Sequence, residues 1–280
     1  MDAIKIQNLC KGYKDFKLDN LNLSLPQGCI MGLIGENGAG KSTTIKLILN
    51  MIKKDSGSVS LFGKPNTNKI NISKEDIGVV LDEAGLPQCL TPVKINNIMK
   101  LAYRKWDEKV YYSYLEKLSI PNNKEFKDFS RGMKMKMTIA IALSHNPKLL
   151  ILDEPTNGLD PVARDEVIDM FSEFTRDESH AVLISSHIVS DLEKICDYIA
   201  FLHKGRLILC DEKDSLLESY GIVQCNAQTL TQLNAKAVIG KKENAYAIEA
   251  LVKRSMVNNS SIKVIPISIE ELFLFMVKEA

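Results

Sequence analysis

Gly35-Glu36-Asn37-Gly38-Ala39-Gly40-Lys41-Ser42 fits the pattern G-x-x-x-x-G-K-[ST], and its flanks decide the fold. The apolar run from Cys29 to Ile34 reads as a buried strand entering the glycine-rich turn. Behind the turn, Ile45, Ile48, Leu49 and Ile52 fall at i, i+3, i+4 and i+7, one face of a helix packed on a sheet. Glycines let the backbone wrap a triphosphate, so that its N–H groups point inward and the helix adds about half a positive charge at its N-terminus. Lys41 is expected to reach the β- and γ-phosphates and the Ser42 hydroxyl to bind Mg²⁺, with Thr43 completing the loop. Average residue usage puts a chance match in roughly one chain in a hundred of this length, and correct flanks make it rarer. Nucleotide binding follows from this stretch alone.

Outward from the loop, apolar clusters switch repeatedly between a period of two and one of about 3.6, an α/β pattern. Ile4, Ile6 and Leu9 open as a strand, and Leu21, Leu23 and Leu25 alternate as another. Val59-Ser60-Leu61 and Ile77 to Leu81 read as further strands, after which residues from about 83 to 146 become helical, an inserted lobe. Leu149 to Leu152 suits a strand buried on both faces, and it carries Asp153 and Glu154 to its C-terminal end. This is a Walker B strand. Asp153 is expected to hold Mg²⁺, directly or through water, and Glu154 to polarise an attacking water as general base. Asp160-Pro161 starts a helix, an N-cap followed by Pro at N1, with Val167, Met170, Phe171 and Phe174 as its buried stripe. Strand signals return at Ala181 to Ile184, Ile199 to Leu202 and Leu207 to Leu209. Beyond about residue 212 the apolar segments shorten, ending in a helix with a Ser268-x-x-Glu271 capping box and Ile269, Leu272, Phe273 and Met276 on one face. Residues 1–211 are expected to form the nucleotide-binding domain and 212–280 a small accessory module.

The chain has 280 residues, 45% apolar and 25% charged, with 36 basic against 35 acidic side chains. A net charge of +1 gives no global attraction to nucleic acid, and no nucleic-acid partner is expected. The six cysteines are scattered, without a CxxC pair or a zinc-type His spacing, as in a protein with reduced cytosolic thiols. No apolar run reaches the ~18 to 20 residues needed to span a bilayer, and Met1-Asp2-Ala3-Ile4-Lys5 lacks a secretory h-region. A cytoplasmic chain is expected. Met133-Lys134-Met135-Lys136-Met137 superficially matches a thioether copper(I) site. On a helix, however, Met133 and Met137 share a face while Met135 points elsewhere, and two lysines would repel a cation.

With both Walker motifs in place, the chain resembles the ATP-binding subunit of an ATP-binding cassette (ABC) transporter over about residues 3 to 211. Phe129-Ser130-Arg131-Gly132-Met133 resembles the signature sequence of that family, Pro155-Thr156-Asn157-Gly158-Leu159-Asp160 its D-loop, and Ser185-Ser186-His187 its switch-histidine segment. The resemblance implies an α/β P-loop NTPase fold: a central, mainly parallel sheet, an antiparallel β subdomain, the inserted helical lobe and a small α+β module at the C-terminus. It implies ATP and Mg²⁺ as ligands, hydrolysis with Glu154 and His187 at the γ-phosphate, and Tyr13 stacked on adenine. Ser130 and Gly132 of one subunit would face the phosphate loop of a second, identical or similar subunit, clamping two ATP molecules between head-to-tail domains. The remaining partner implied is an integral membrane permease, which would hold the chain on the inner face of the cell membrane.

The chain departs from the family's pattern in two places. A Gln that touches Mg²⁺ usually follows the strand corresponding to Ile77 to Leu81, and here the position is Asp82, followed by Glu83. A carboxylate can bind Mg²⁺ but cannot donate a hydrogen bond to the water as an amide can. The signature carries Arg131 and Met133 where Gly and Gln are commonest. The tail, Pro266-x-Ser268-x-Glu270-Glu271-x-Phe273, resembles the end of cassettes that serve export-type transporters with separate membrane subunits. The alternative is a soluble ABC ATPase without a transport role, which the single cassette and the lack of a coiled-coil insertion or basic arm disfavour. Glu154 and His187 argue against a regulatory module that binds ATP without hydrolysis, and no NKxD element points to a GTPase.

Overall fold

The structure, a computed structural model, describes residues 1–67, 74–82, 85–243, 248–257 and 262–279. The chain begins with β1 (Asp2–Gly12), β2 (Lys17–Pro26), β3 (Ile30–Ile34), α1 (Lys41–Ile48), β4 (Ser56–Leu61), β5 (Lys64–Pro65) and β6 (Ile77–Val80). The helical lobe contributes α2 (Pro92–Ala102), α3 (Glu108–Lys117) and α4 (Arg131–Leu143). The chain returns through β7 (Leu149–Asp153), α5 (Pro161–Phe174), β8 (Ala181–Ser186), α6 (Val189–Ile195), β9 (Tyr198–His203) and β10 (Arg206–Glu212). It ends with α7 (Lys213–Ser219), β11 (Tyr220–Cys225), α8 (Ala227–Gln232), β12 (Val238–Glu243), β13 (Ile248–Lys253), β14 (Val264–Ile265) and α9 (Ile269–Glu279).

The central six-stranded sheet runs β10-β9-β3-β8-β7-β6, parallel throughout except for β10 against β9. β3, β7 and β8 are buried along their whole length because both faces of the sheet are covered, which is why they read as unbroken apolar runs. Alternate residues divide between the faces. Met31, Leu33, Leu149, Ile151 and Leu183 pack with Ile45 and Ile48 of α1 and with Ile4, Leu9 and Leu21 of the antiparallel sheet β2-β1-β4-β5. Ile30, Ile34, Leu150, Leu152 and Ile184 pack instead against α4, α5, α6 and α9. The parallel sheet, antiparallel sheet and helical lobe implied by the resemblance are all present.

One local expectation changes. Ile52 does not extend the buried face of α1, because Asn50 takes a left-handed conformation (φ 55°) that ends the helix, and Ile52 reaches the same core from the following turn. Met135 is buried together with Met137, since α4 is enclosed by the lobe and the sheet on more than one side. Glu83, named as the start of the lobe, lies outside the described residues. The cap expectations hold: Asp160 accepts from the N–H groups of Val162 and Ala163, both at 3.1 Å. Ser268 and Glu271 form a reciprocal box, Ser268 N–H donating to Glu271 Oε2 at 3.0 Å and Glu271 N–H to Ser268 Oγ at 3.2 Å.

The tail sheet, β12-β13-β11-β14, has its own small cluster around Val223, Ala250 and Val252. Its last helix joins the main core. Phe273 of α9 meets Phe201 of β9 edge-on, with ring centroids 5.3 Å apart, and Ile269 and Leu272 share a cluster with Leu192 of α6.

Candidate active site

Parallel pairing brings the strand ends level. Ile34 of β3 lies opposite Ser186 of β8, Asp153 of β7 opposite Ser185, and Val80 of β6 opposite Leu152. Gly35, His187, Glu154 and Asp82 therefore leave the sheet along one edge, the C-terminal edge at which open α/β sheets bind ligands. A cleft of about 730 Å³ opens there. Of the residues singled out in the sequence, it is lined by Glu36, Asn37, Gly38, Gly40, Lys41, Ser42, Thr43, Asp82, Glu154 and His187. Gly35 and Ala39 lie behind it within the loop, and Asp153, at the end of β7 next to Glu154, is 4% exposed and not part of the lining.

The loop is shaped by two different demands on glycine. Gly40 is the N-cap of α1 at φ 112°, a conformation that side chains with a Cβ rarely adopt. Gly35 is needed for space: a Cβ there would stand 2.5 Å from the Leu202 carbonyl oxygen and 2.9 Å from Ala39 Cβ. Thr44 N–H donates to Gly40 O at 2.8 Å, so the helical ladder starts there and the N–H groups of Lys41, Ser42 and Thr43 remain for an anion.

Lys41, Glu154 and His187 meet at the head of α1. The Lys41 ammonium donates to Gly35 O at 2.7 Å and lies 3.2 Å from Glu154 Oε1. His187 Nδ1 lies 2.7 Å from Glu154 Oε2, which also accepts from the His187 backbone N–H at 3.2 Å. An ionised carboxylate can only accept, so Nδ1 carries the proton and Nε2 remains for another partner. Glu154 sits at φ 52°, a strained conformation for a residue with a side chain. It is held by its N–H, which donates to both the carbonyl (3.1 Å) and the hydroxyl (3.2 Å) of Ser185.

Ser185 also donates to Asp153 Oδ1 at 2.5 Å. Asp153 makes no ion pair among the described residues. The buried Asp153 carboxylate and the Ser42 hydroxyl that lines the cleft are hard oxygen donors of the kind that fits Mg²⁺. No group of three or more His, Cys, Asp or Glu able to hold a metal occurs among the described residues. Mg²⁺ is commonly held by one or two carboxylates with phosphate oxygens, which needs no larger cage.

Other expected residues are placed differently. Ser130 caps α4, its Oγ accepting from Met133 N–H at 3.2 Å, and neither it nor Gly132 lines the cleft of its own chain. Gly132 packs instead on the D-loop, where a Cβ would stand 3.1 Å from Gly158 O. Asp82 is on the cleft wall, with Oδ1 accepting from Arg131 Nη2 at 2.8 Å. Tyr13 is half exposed and lies outside the lining, with the Lys11 ammonium 5.4 Å from its ring centroid. The aromatic ring in the cleft wall is Phe16, which sequence reasoning passed over together with Asp15 and the lining role of Asn157. Phe16 had a usable signal, an aromatic in the short turn after the first strand. Ser185 had another, a hydroxyl level with Asp153 once the strands are paired.

The family model described as "ABC transporter" matches residues 18–157. The lantibiotic transport ATP-binding protein SrtF of Streptococcus pyogenes is 38% identical over 214 residues, covering 75% of this chain and 91% of that protein. An uncharacterized ABC transporter ATP-binding protein of Bacillus subtilis, YhcH, is 32% identical over an alignment of 299 residues, covering 99% of this chain and 96% of that protein. A solved structure described as the ATP binding subunit of an ABC transporter superposes with a TM-score of 0.68 at 28% identity, covering 76% of this chain and 91% of its own.

Proposed function

Because the chain belongs to the ABC transporter family as an ATP-binding, ATP-hydrolysing subunit, we propose that it powers a separate membrane permease, in the export direction, by ATP-driven closure and reopening of a dimer. The convergence of Lys41, Glu154 and His187 at the head of α1 carries this reading. Glu154 takes a proton from a water that attacks the γ-phosphorus. The bond from that phosphorus to the bridging oxygen breaks, and ADP and phosphate leave. His187 is oriented by its Nδ1–H bond to Glu154, so that Nε2 is free for the γ-phosphate or the water. Lys41 exchanges its contact with Glu154 for the β- and γ-phosphates, and Tyr13 stacks on adenine. Ser42 and Asp153 would hold Mg²⁺, which when bound neutralises and orients the phosphate oxygens.

Ser130 and Gly132 lie at the N-terminus of α4 and do not line their own cleft, which supports their meeting the ATP of a second copy. Closure on ATP and reopening after hydrolysis would then convert chemistry into motion. No helix among the described residues is long and apolar enough to cross a membrane, so the chain would act at the inner membrane face through its permease. Export is supported by the resemblance of the tail and by the lantibiotic transport named for SrtF.

Sizing of the full chain by light scattering tests the clamp: dimer is expected with MgATP and not with Lys41→Ala. A dimer formed equally well without nucleotide would count against it. Reconstitution with the permease in vesicles tests the transport role, and ATPase activity indifferent to the permease would favour the soluble alternative.

A further inference from the structure

The two places where this sequence departs from its family's pattern, Asp82 and Arg131, come together in space. Arg131 Nη2 donates to Asp82 Oδ1 at 2.8 Å, the one ion pair that Asp82 makes among the described residues. The arginine stem runs over the D-loop on its way there. At Gly158, with φ 80°, a Cβ would stand 3.1 Å from Arg131 Cδ. The residue thus links the N-terminus of α4, the turn after β7 and the wall of the cleft.

Neither partner is placed to suit its own element. Arg131 occupies the first position of α4, where the helix dipole disfavours a cation. Asp82 adds a negative charge to a cleft meant for a polyanion. Asp15, Glu36 and Glu154 also line that cleft, and among the described residues Lys41 is its one lysine, already engaged by Glu154. A carboxylate left uncompensated there would repel the triphosphate. The side chains are 59% and 44% exposed, so the pair contributes little to folding.

We propose that Arg131 is a positioning residue for nucleotide binding, neutralising Asp82 at the wall of the phosphate cleft. The inference rests on the cleft being the ATP site. It gives Asp82 a different task from the Mg²⁺ contact expected from sequence: the carboxylate orients the guanidinium, and the guanidinium cancels its charge.

The sign of the effect on each variant separates the alternatives. Calorimetric titration of the full chain with ATP, with Mg²⁺ and in EDTA, is expected to show Arg131→Gln weakened roughly 2- to 5-fold, the scale of an exposed ion pair. Asp82→Asn should not weaken binding, and the double variant should return to within about twofold of the starting protein. Arg131→Lys should rescue much of the loss, and high salt should shrink it as screening sets in. Melting temperatures of all four variants should stay close together. Unchanged affinity in Arg131→Gln, or a double variant as weak as Arg131→Gln, would overturn the proposal. So would an Asp82→Asn defect seen with Mg²⁺ and absent in EDTA, which would make Asp82 a metal ligand. Failure of the unaltered chain to bind ATP at all would instead defeat the reading of the cleft.

Discussion

Replacing Glu154 with Gln should move hydrolysis and binding in opposite directions. The substitution keeps the length of the side chain and leaves an amide oxygen for the His187 N–H, but it removes the base and its charge. Loss of a general base slows the chemical step by about 10² to 10⁴, equivalent to about 2.7 to 5.4 kcal/mol of barrier. Binding responds to a different contact. Glu154 Oε1 lies 3.2 Å from the Lys41 ammonium, with the two side chains only 13% and 6% exposed, so incoming phosphates must compete with a carboxylate for that lysine. A hydrogen bond to a charged group contributes about 1.5 to 3 kcal/mol. The amide oxygen of Gln retains part of that, leaving about 1 kcal/mol in favour of ATP, a gain of roughly fivefold in affinity. Phosphate release under steady turnover and calorimetric ATP titration of the full chain read the two effects separately. Turnover within tenfold of the unaltered protein would remove Glu154 from the role of base. Weaker ATP binding would show that the Lys41–Glu154 pair organises the phosphate site and does not compete with it.

Tyr13→Ala should weaken ATP binding by about 2- to 10-fold if the ring stacks on adenine. The same loss in Phe16→Ala, with Tyr13→Ala unaffected, would move the base platform to the ring that lines the cleft. Gly35→Ala should lower the unfolding free energy read from denaturant titration by about 1 to 3 kcal/mol, the usual cost of overpacking, because its Cβ would stand 2.5 Å from the Leu202 carbonyl oxygen. An unaltered unfolding free energy would show that the loop can shift. Burial holds the His145 imidazole below its ordinary value of 6.5, so the unfolded chain takes up a proton that the folded chain resists. The stability linked to this group is present above about pH 6.5 and is lost as pH falls below it. Urea midpoints should drop more between pH 7 and 5 in the unaltered protein than in His145→Phe, and parallel slopes would reject the assignment.

The readable part of the site is local in the chain. Gly35 to Ser42 is a strand, a turn and a helix start in sequence, and Leu149 to Glu154 carries its carboxylates on the strand that presents them, so residue order states their placement. Contacts that depend on register or on a side chain crossing between elements are not written that way. Ser185 becomes the support of both Asp153 and Glu154 once β7 and β8 pair, and the Asp82–Arg131 contact joins residues separated by 49 positions. Phe16 lines the cleft because the turn between β1 and β2 folds over the head of α1, where a Cβ on Gly40 would stand 2.8 Å from Phe16 Cζ. Strand alternation carries no information about that approach.

The tail makes the same distinction at the scale of a whole element. The period of Ile269, Leu272, Phe273 and Met276 identifies a buried face, yet a period cannot name what the face is buried against. Short apolar segments before it suggest a small module closed on itself, and the sheet β12-β13-β11-β14 does keep a cluster of its own. The strongest apolar face of that stretch is spent elsewhere, on Phe201 of β9 and Leu192 of α6. Since α6 begins two residues after His187, α9 buttresses the element that follows the His187 turn. Among the described residues of 212–280 none lines the cleft, and the packing of α9 on α6 and β9 is where this stretch meets the domain that holds it.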